Sequence, residues 1–92
     1  MSYSYFLTVE AKEDLRRIYE YGDYRFGETQ AEKYFILLHV CFEKIASNPN
    51  LFPIVTNYKS VERFCVCGVD TIYYNIIGDE IEIVTIIGRQ NF

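Results

Sequence analysis

The hydrophobic period changes once, and abruptly, along these 92 residues. Ahead of Pro49 and Pro53 the apolar positions recur every three or four residues, and from Val61 onward they recur every second residue. The first spacing marks one side of a helix and the second marks one face of a strand. A helical half followed by a β half leaves few architectures open.

In the first half, Leu15, Ile18, Tyr19, Gly22 and Phe26 form one stripe, which predicts a helix over residues 9–26. Thr8 is placed to cap it, and Glu10 puts a carboxylate near the positive end of the helix dipole. Gly27 is the expected stop. Thr29-Gln-Ala-Glu32 has the spacing of a capping box, and Ala31, Tyr34, Phe35, Leu38, Phe42 and Ile45 continue a second helical period. Ser47-Asn48-Pro49 ends that helix. So short a link makes the two helices antiparallel neighbours. Leu37, Val40 and Cys41 widen the apolar surface of the second helix beyond one stripe, so it is expected to be covered on more than one side. Residues 3–7, short and aromatic, read as a strand ahead of the first helix.

In the second half, Gly78-Asp79 separates two β-rich runs and suits a two-residue hairpin turn. Pairing outward from that turn sets Ile77 opposite Glu80, Ile76 opposite Ile81, Tyr74 opposite Ile83 and Ile72 opposite Thr85. One face then carries Ile72, Tyr74, Ile76, Ile81 and Ile83. The other carries Tyr73, Asn75, Glu80, Glu82, Val84 and Ile86. Residues 62–66 supply a further strand, with Phe64 and Val66 expected inward, and Cys67-Gly68-Val69-Asp70 turns it into Thr71. The predicted order βααβββ is an α+β two-layer sandwich: an N-terminal strand, an antiparallel helical hairpin, then a three-stranded antiparallel meander. Nothing in the chain covers the second sheet face. Its apolar Tyr73, Val84 and Ile86, with Leu37 and Val40 on the second helix, are therefore the expected partner-binding residues.

Composition narrows the function. Half the residues are apolar, aromatics reach 17%, and the net charge is −4, which suits one folded domain over residues 1–92. It does not suit a disordered acidic tail or a nucleic-acid-coating module. The longest apolar run, residues 34–42, is broken by His39 and falls far short of the roughly 20 residues a bilayer span needs. The first ten residues show neither a basic leader nor a small-residue cleavage site, so a cytoplasmic location is expected. Cys41, Cys65 and Cys67 are an odd set without framework spacing and are expected to be reduced thiols. Cys65 and Cys67 lack a second pair, and His39 is the single histidine, so neither a metal site nor a cofactor is expected.

Several segments resemble one family. Leu7-Thr-Val-Glu-Ala-Lys-Glu-Asp-Leu15, Ala31-Glu-Lys-Tyr34, Asn48-Pro49, Arg63-Phe-Cys-Val66, Ile72-Tyr-Tyr74 and Gly88-Arg-Gln-Asn91 follow, in order, the pattern of the RelE/ParE superfamily of bacterial toxins from type II toxin-antitoxin modules. They are most similar to its ParE-like branch. Val9 stands where that branch often has proline, and Gly88 with its aliphatic neighbours replaces the histidine often found before the final Arg-Gln. The resemblance implies a plasmid-stabilisation type of toxin neutralised by a cognate ParD-like antitoxin. It implies DNA gyrase as target in the ParE case, or ribosome-bound mRNA, cut by an endonuclease, in the RelE case.

Chemistry ranks those two. An RNase of this kind must activate a 2′-hydroxyl, stabilise a pentacoordinate phosphate and protonate a leaving oxygen. Residues 49–92 offer Lys59, Arg63 and Arg89 against Glu62, Asp70, Asp79, Glu80 and Glu82, a net charge of −2 that repels RNA. Inhibition of gyrase by binding, without catalytic residues, is therefore the leading expectation. An RNase using Arg63, Arg89 and Tyr73 comes second, and an attenuated toxin retaining only antitoxin binding comes third.

Overall fold

Thr8 divides the first two elements of the computed structural model, which describes residues 3–56 and 60–88. Its extended backbone closes strand β1 (Ser4–Leu7), and its hydroxyl accepts the Ala11 N–H at 3.0 Å to open helix α1 (Val9–Phe26). That bond satisfies one of the donors every helix leaves open at its start. Gly27 then serves two helices at once. With φ at 92° it donates to the Asp23 carbonyl, ending α1, and its own carbonyl accepts from Ala31, starting helix α2 (Glu28–Ser47). The predicted capping box is not used. A one-residue link places Thr29 inside the helix rather than at its cap, and no side chain caps α2.

A 3-10 turn (Pro49–Leu51) follows, and then β2 (Arg63–Cys67), β3 (Asp70–Ile77) and β4 (Glu80–Gly88). The sheet order is β1-β4-β3-β2, with β1 parallel to β4 and the other pairings antiparallel. This is the α+β sandwich of order βααβββ that the period change predicts. The core lies between the layers. Ala11 and Ile18 of α1 and Leu38, Phe42 and Ile45 of α2 close over Ile72, Tyr74, Ile81, Ile83 and Ile86, all buried.

Two strand assignments differ from expectation. In β2, the inward residues are Cys65 and Cys67, while Val66 is 66% exposed and Phe64 is half-buried. Directly opposed residues share a face, and Cys65 pairs with Ile72, an inward position. Small cysteine side chains therefore fill the space under α2, and the bulky neighbours turn outward.

In β4, the ladder runs as expected from Ile77↔Glu80 to Tyr74↔Ile83 and then slips: Tyr73 pairs with Thr85 and Ile72 with Ile86. Val84 is the extra residue of a β-bulge. Because side chains alternate with a period of two, one inserted residue reverses every position after it. Ile86, expected on the uncovered face, is therefore fully buried.

The bulge is gripped by α1. The Thr8 hydroxyl donates to the Val84 carbonyl at 2.8 Å. Asp14 Oδ2 accepts the Thr85 hydroxyl at 2.7 Å and the Ile86 N–H at 3.0 Å.

The cysteines also depart from expectation. Cys41 and Cys67 are joined as a disulfide between α2 and β2, and Cys65 is free and buried. Their Cα atoms stand 6.4 Å apart, within the span such a bridge covers. The pairing arises because the helical phase of Cys41 and the strand phase of Cys67 meet at one point, which spacing along the chain does not encode.

Candidate partner-binding site

Alternation along four strands leaves the outer sheet face with Phe6, Phe64, Val66, Tyr73, Val84 and Ile87 among its side chains. Phe6, Val66 and Ile87 are exposed and the other three half-buried. The rings of Phe64 and Tyr73 pack at 6.2 Å and, with Ile54, Val55, Thr56 and Thr71, line a shallow recess of about 200 Å³. The carboxylates of Glu62, Glu80 and Glu82 share this face towards the Gly78-Asp79 turn, where Glu82 accepts from the Asn75 amide at 3.1 Å. An apolar strip beside a cluster of acids is thus what the outer face of the sheet exposes.

Of the residues expected to bind a partner, Tyr73 and Val84 lie half-buried on this face. Leu37 and Val40 are exposed on α2, 40% and 43% respectively, next to Ile36. Ile86 does not belong with them, because the bulge has carried it into the core.

Of the residues an RNase would need, the two that are described, Arg63 and Tyr73, lie on opposite faces of the sheet. Arg63 pairs with Tyr74, and its Nη1 donates to the backbone carbonyls of Phe52 at 2.6 Å and Asn50 at 3.2 Å. Tyr73 alternates to the opposite face. Arg89 and Lys59 lie outside the described residues. Tyr74, fully buried, donates to the Pro49 carbonyl at 2.5 Å, and burial pushes its phenol up to about 12. Arg63 and Tyr74 together fasten the turn that leaves α2. His39 sits between the rings of Phe35 and Phe42, at 4.6 and 5.3 Å, as packed aromatic surface. Among the described residues no group of His, Cys, Asp or Glu is arranged to hold a metal ion, and no helix is long and apolar enough to cross a membrane.

Two buried carboxylates carry structural duties that sequence reasoning missed. Asp14 holds the bulge and is also bound at 2.9 Å by Arg17. Asp70, fully buried, accepts the Tyr34 hydroxyl at 2.5 Å. The same hydroxyl lies 3.1 Å from the Cys67 carbonyl and accepts the Val69 N–H at 3.2 Å, so α2 clasps the β2–β3 turn. Burial first, and then the Asp70 hydrogen bond, push the Tyr34 phenol far up. Asp14 does fall on the α1 stripe, three residues after Ala11 and four before Ile18, and an acid on an apolar stripe was the available signal.

Comparison with solved structures finds the same fold in chains from two toxin-antitoxin systems. The chain is similar to one from the chromosomal ParDE toxin-antitoxin system of P. aeruginosa, with a TM-score of 0.82 at 20% identity over 95% of this chain and 96% of that one. It is also similar to a chain of the toxin-antitoxin complex RelBE2 of Mycobacterium tuberculosis, with a TM-score of 0.69 at 14% identity over 97% and 100% of the two. Sequence then narrows the class. Residues 5–91 match the family described as the ParE toxin of the type II toxin-antitoxin system parDE. Toxin ParE1 of Caulobacter vibrioides is 31% identical over 86 residues, 94% of this chain and 88% of that protein. This chain belongs to the ParE toxin family.

Proposed function

We propose that this ParE-family toxin inhibits DNA gyrase in the cytoplasm by docking on it, and that a cognate ParD-like antitoxin neutralises it by covering the outer sheet face. The observation that carries the reading is the family match over residues 5–91 on a fold whose sheet keeps Phe64, Val66, Tyr73 and Val84 outward. The antitoxin segment is amphipathic and folds on binding. Its apolar side chains cover the strip and its basic residues meet Glu62, Glu80 and Glu82.

Action by binding, rather than by bond-making, is supported by the side chains themselves. Arg63 commits its Nη1 to two backbone carbonyls, and Tyr73 projects from the other side of the sheet. A phosphodiester cleavage requires a cation and a proton donor converging within about 3 Å of one phosphate.

The test is a gyrase supercoiling assay with purified toxin, alone and after mixing with the product of the neighbouring antitoxin gene. Inhibition or trapped cleaved DNA, relieved by the antitoxin, is the expected result. Full supercoiling at a large molar excess of toxin refutes the gyrase target. Codon-position mRNA cuts on induction, lost in Arg63→Ala and Arg89→Ala, would replace it with the RNase reading.

A further inference from the structure

We propose that the outward stripe of α2, formed by Lys33, Ile36, Leu37, Val40 and Lys44 with Leu51 beyond it, is the surface by which this toxin grips its target. What it grips is an amphipathic helix whose apolar face is flanked by carboxylates. The inference rests on the reading above that the toxin acts by docking, and it adds which face docks and what chemistry it meets.

The stripe follows from the helical period. Residues 33, 37, 40, 44 and 47 recur at steps of four and three, so they share one side of α2, while Leu38, Phe42 and Ile45 hold the core side. Ile36 and Leu51 are more than half exposed, and Leu37 and Val40 nearly so. Val40 and Leu51 also line a shallow recess of about 380 Å³ with Lys44, Ser47 and Phe52. A run of aliphatic side chains left in water along one helix is a surface that a partner covers.

Charge says which partner. Lys33 and Lys44 border the aliphatic stretch at its two ends, roughly 16 Å apart at the helical rise per residue. Among the described residues neither lysine is ion-paired. The acids of α2 are turned elsewhere. Glu32 and Glu28 face α1, where they add to burial in raising the Tyr19 phenol, and Glu43 adds to burial in the same way at Tyr5. On α1 the outer face is polar and neutralises itself, with Arg16 bridging Glu13 at 2.7 Å and Glu20 at 3.0 Å. The outer face of the sheet, on the opposite side of the sandwich, carries the reverse sign through Glu62, Glu80 and Glu82. A basic segment that suits the sheet is repelled by α2, so the two faces suit two partners: the antitoxin on the sheet and the target on α2. A second copy of this chain does not fit. Two-fold antiparallel packing of α2 on itself about Leu37 and Val40 sets Lys33 against Lys44 at both ends.

The experiment uses the full-length toxin in two doubly substituted forms, Lys33→Glu with Lys44→Glu, and Ile36→Ser with Val40→Ser. All four positions are exposed, so circular dichroism and the thermal midpoint should stay close to those of the wild type. Each form should need at least about tenfold more toxin for half-inhibition of supercoiling and should lose growth arrest on induction, with affinity for the neighbouring-gene antitoxin kept within about twofold. If the Ile36→Ser, Val40→Ser form fails to fold, the lysine pair decides alone. Inhibition and arrest at wild-type strength in the folded variants, or an equal loss of antitoxin affinity, overturns the proposal and leaves the gyrase reading standing. A wild-type toxin that arrests growth but spares gyrase, with arrest lost in the variants, refutes gyrase as target and upholds α2 as the docking face. Induction of the wild type without growth arrest overturns both.

Discussion

Removing the Asp14 carboxylate tests whether one side chain of α1 holds the bulge that decides which half of β4 faces the core. The carboxylate accepts three hydrogen bonds, from the Thr85 hydroxyl at 2.7 Å, the Ile86 N–H at 3.0 Å and Arg17 at 2.9 Å. Asp14→Ala strands the first two donors. The Thr85 hydroxyl can rotate away, but the Ile86 amide is fixed by the ladder, and each buried donor left unanswered costs about 1–3 kcal/mol. The Arg17 contact adds less than about 1 kcal/mol, because the arginine side chain is 46% exposed. The expected total is about 2–4 kcal/mol, a large fraction of the roughly 5–15 kcal/mol by which small domains are stable.

Asp14→Asn separates shape from charge. Its amide oxygen can still accept from both Thr85 and Ile86, so a loss of only about 1 kcal/mol is expected. Urea unfolding followed by far-UV circular dichroism measures both variants, compared at unchanged m-value. A cycle with Thr85→Val isolates the coupling between the two side chains. If Asp14→Ala loses less than about 1 kcal/mol, or if alanine and asparagine are indistinguishable, the carboxylate does not hold the bulge.

Other outcomes follow from the same physics. Gly68→Ala places a methyl group 2.6 Å from Tyr34 Cε1 at a residue whose φ is +60°, so the Tyr34–Asp70 clasp must move. A loss of about 1–3 kcal/mol is expected in chemical denaturation, and a neutral result would contradict the close packing. Alkaline pH should destabilise the fold through Tyr34 and Tyr74. Both phenols are raised above their ordinary 10.0, Tyr74 to about 12, so the folded state holds protons that the unfolded chain releases. Stability is then level below pH 10 and falls as pH rises through 10 to 12, at up to about 1.4 kcal/mol per pH unit for each tyrosine. A Tyr74→Phe variant with an unchanged slope would refute that assignment. On the sheet, Val84→Asp and Tyr73→Asp should fold normally and weaken antitoxin binding by about 1–3 kcal/mol, as measured by calorimetry. Ile86→Asp should instead fail to fold, and a stable Ile86→Asp protein would place that residue outside the core.

Most of the architecture was legible along the chain because it depends on local rules. The step of three and four over residues 9–26 and the alternation around Gly78-Asp79 each report one element facing one core. Thr8 and Gly27 mark helix ends by backbone chemistry that needs no distant partner. The order of these signals sufficed for an α+β sandwich and for the family resemblance.

What escaped the sequence depends on contacts between distant residues. Pairing counted out from the turn assumes an unbroken ladder, and the bulge at Val84 exists because Thr8 and Asp14, more than seventy residues earlier, bond to it. That one slip moved Ile86 from the expected interface into the core. The inward phase of β2 was likewise decided by its neighbour β3, not by its own hydrophobicity, which favours Phe64 and Val66 over two cysteines. The Cys41–Cys67 link required α2 and β2 to be laid side by side. Periodicity tells a chain which faces it possesses, and only the packed molecule settles where one face stops and the other begins, because a single inserted residue inverts a strand at no visible change in composition.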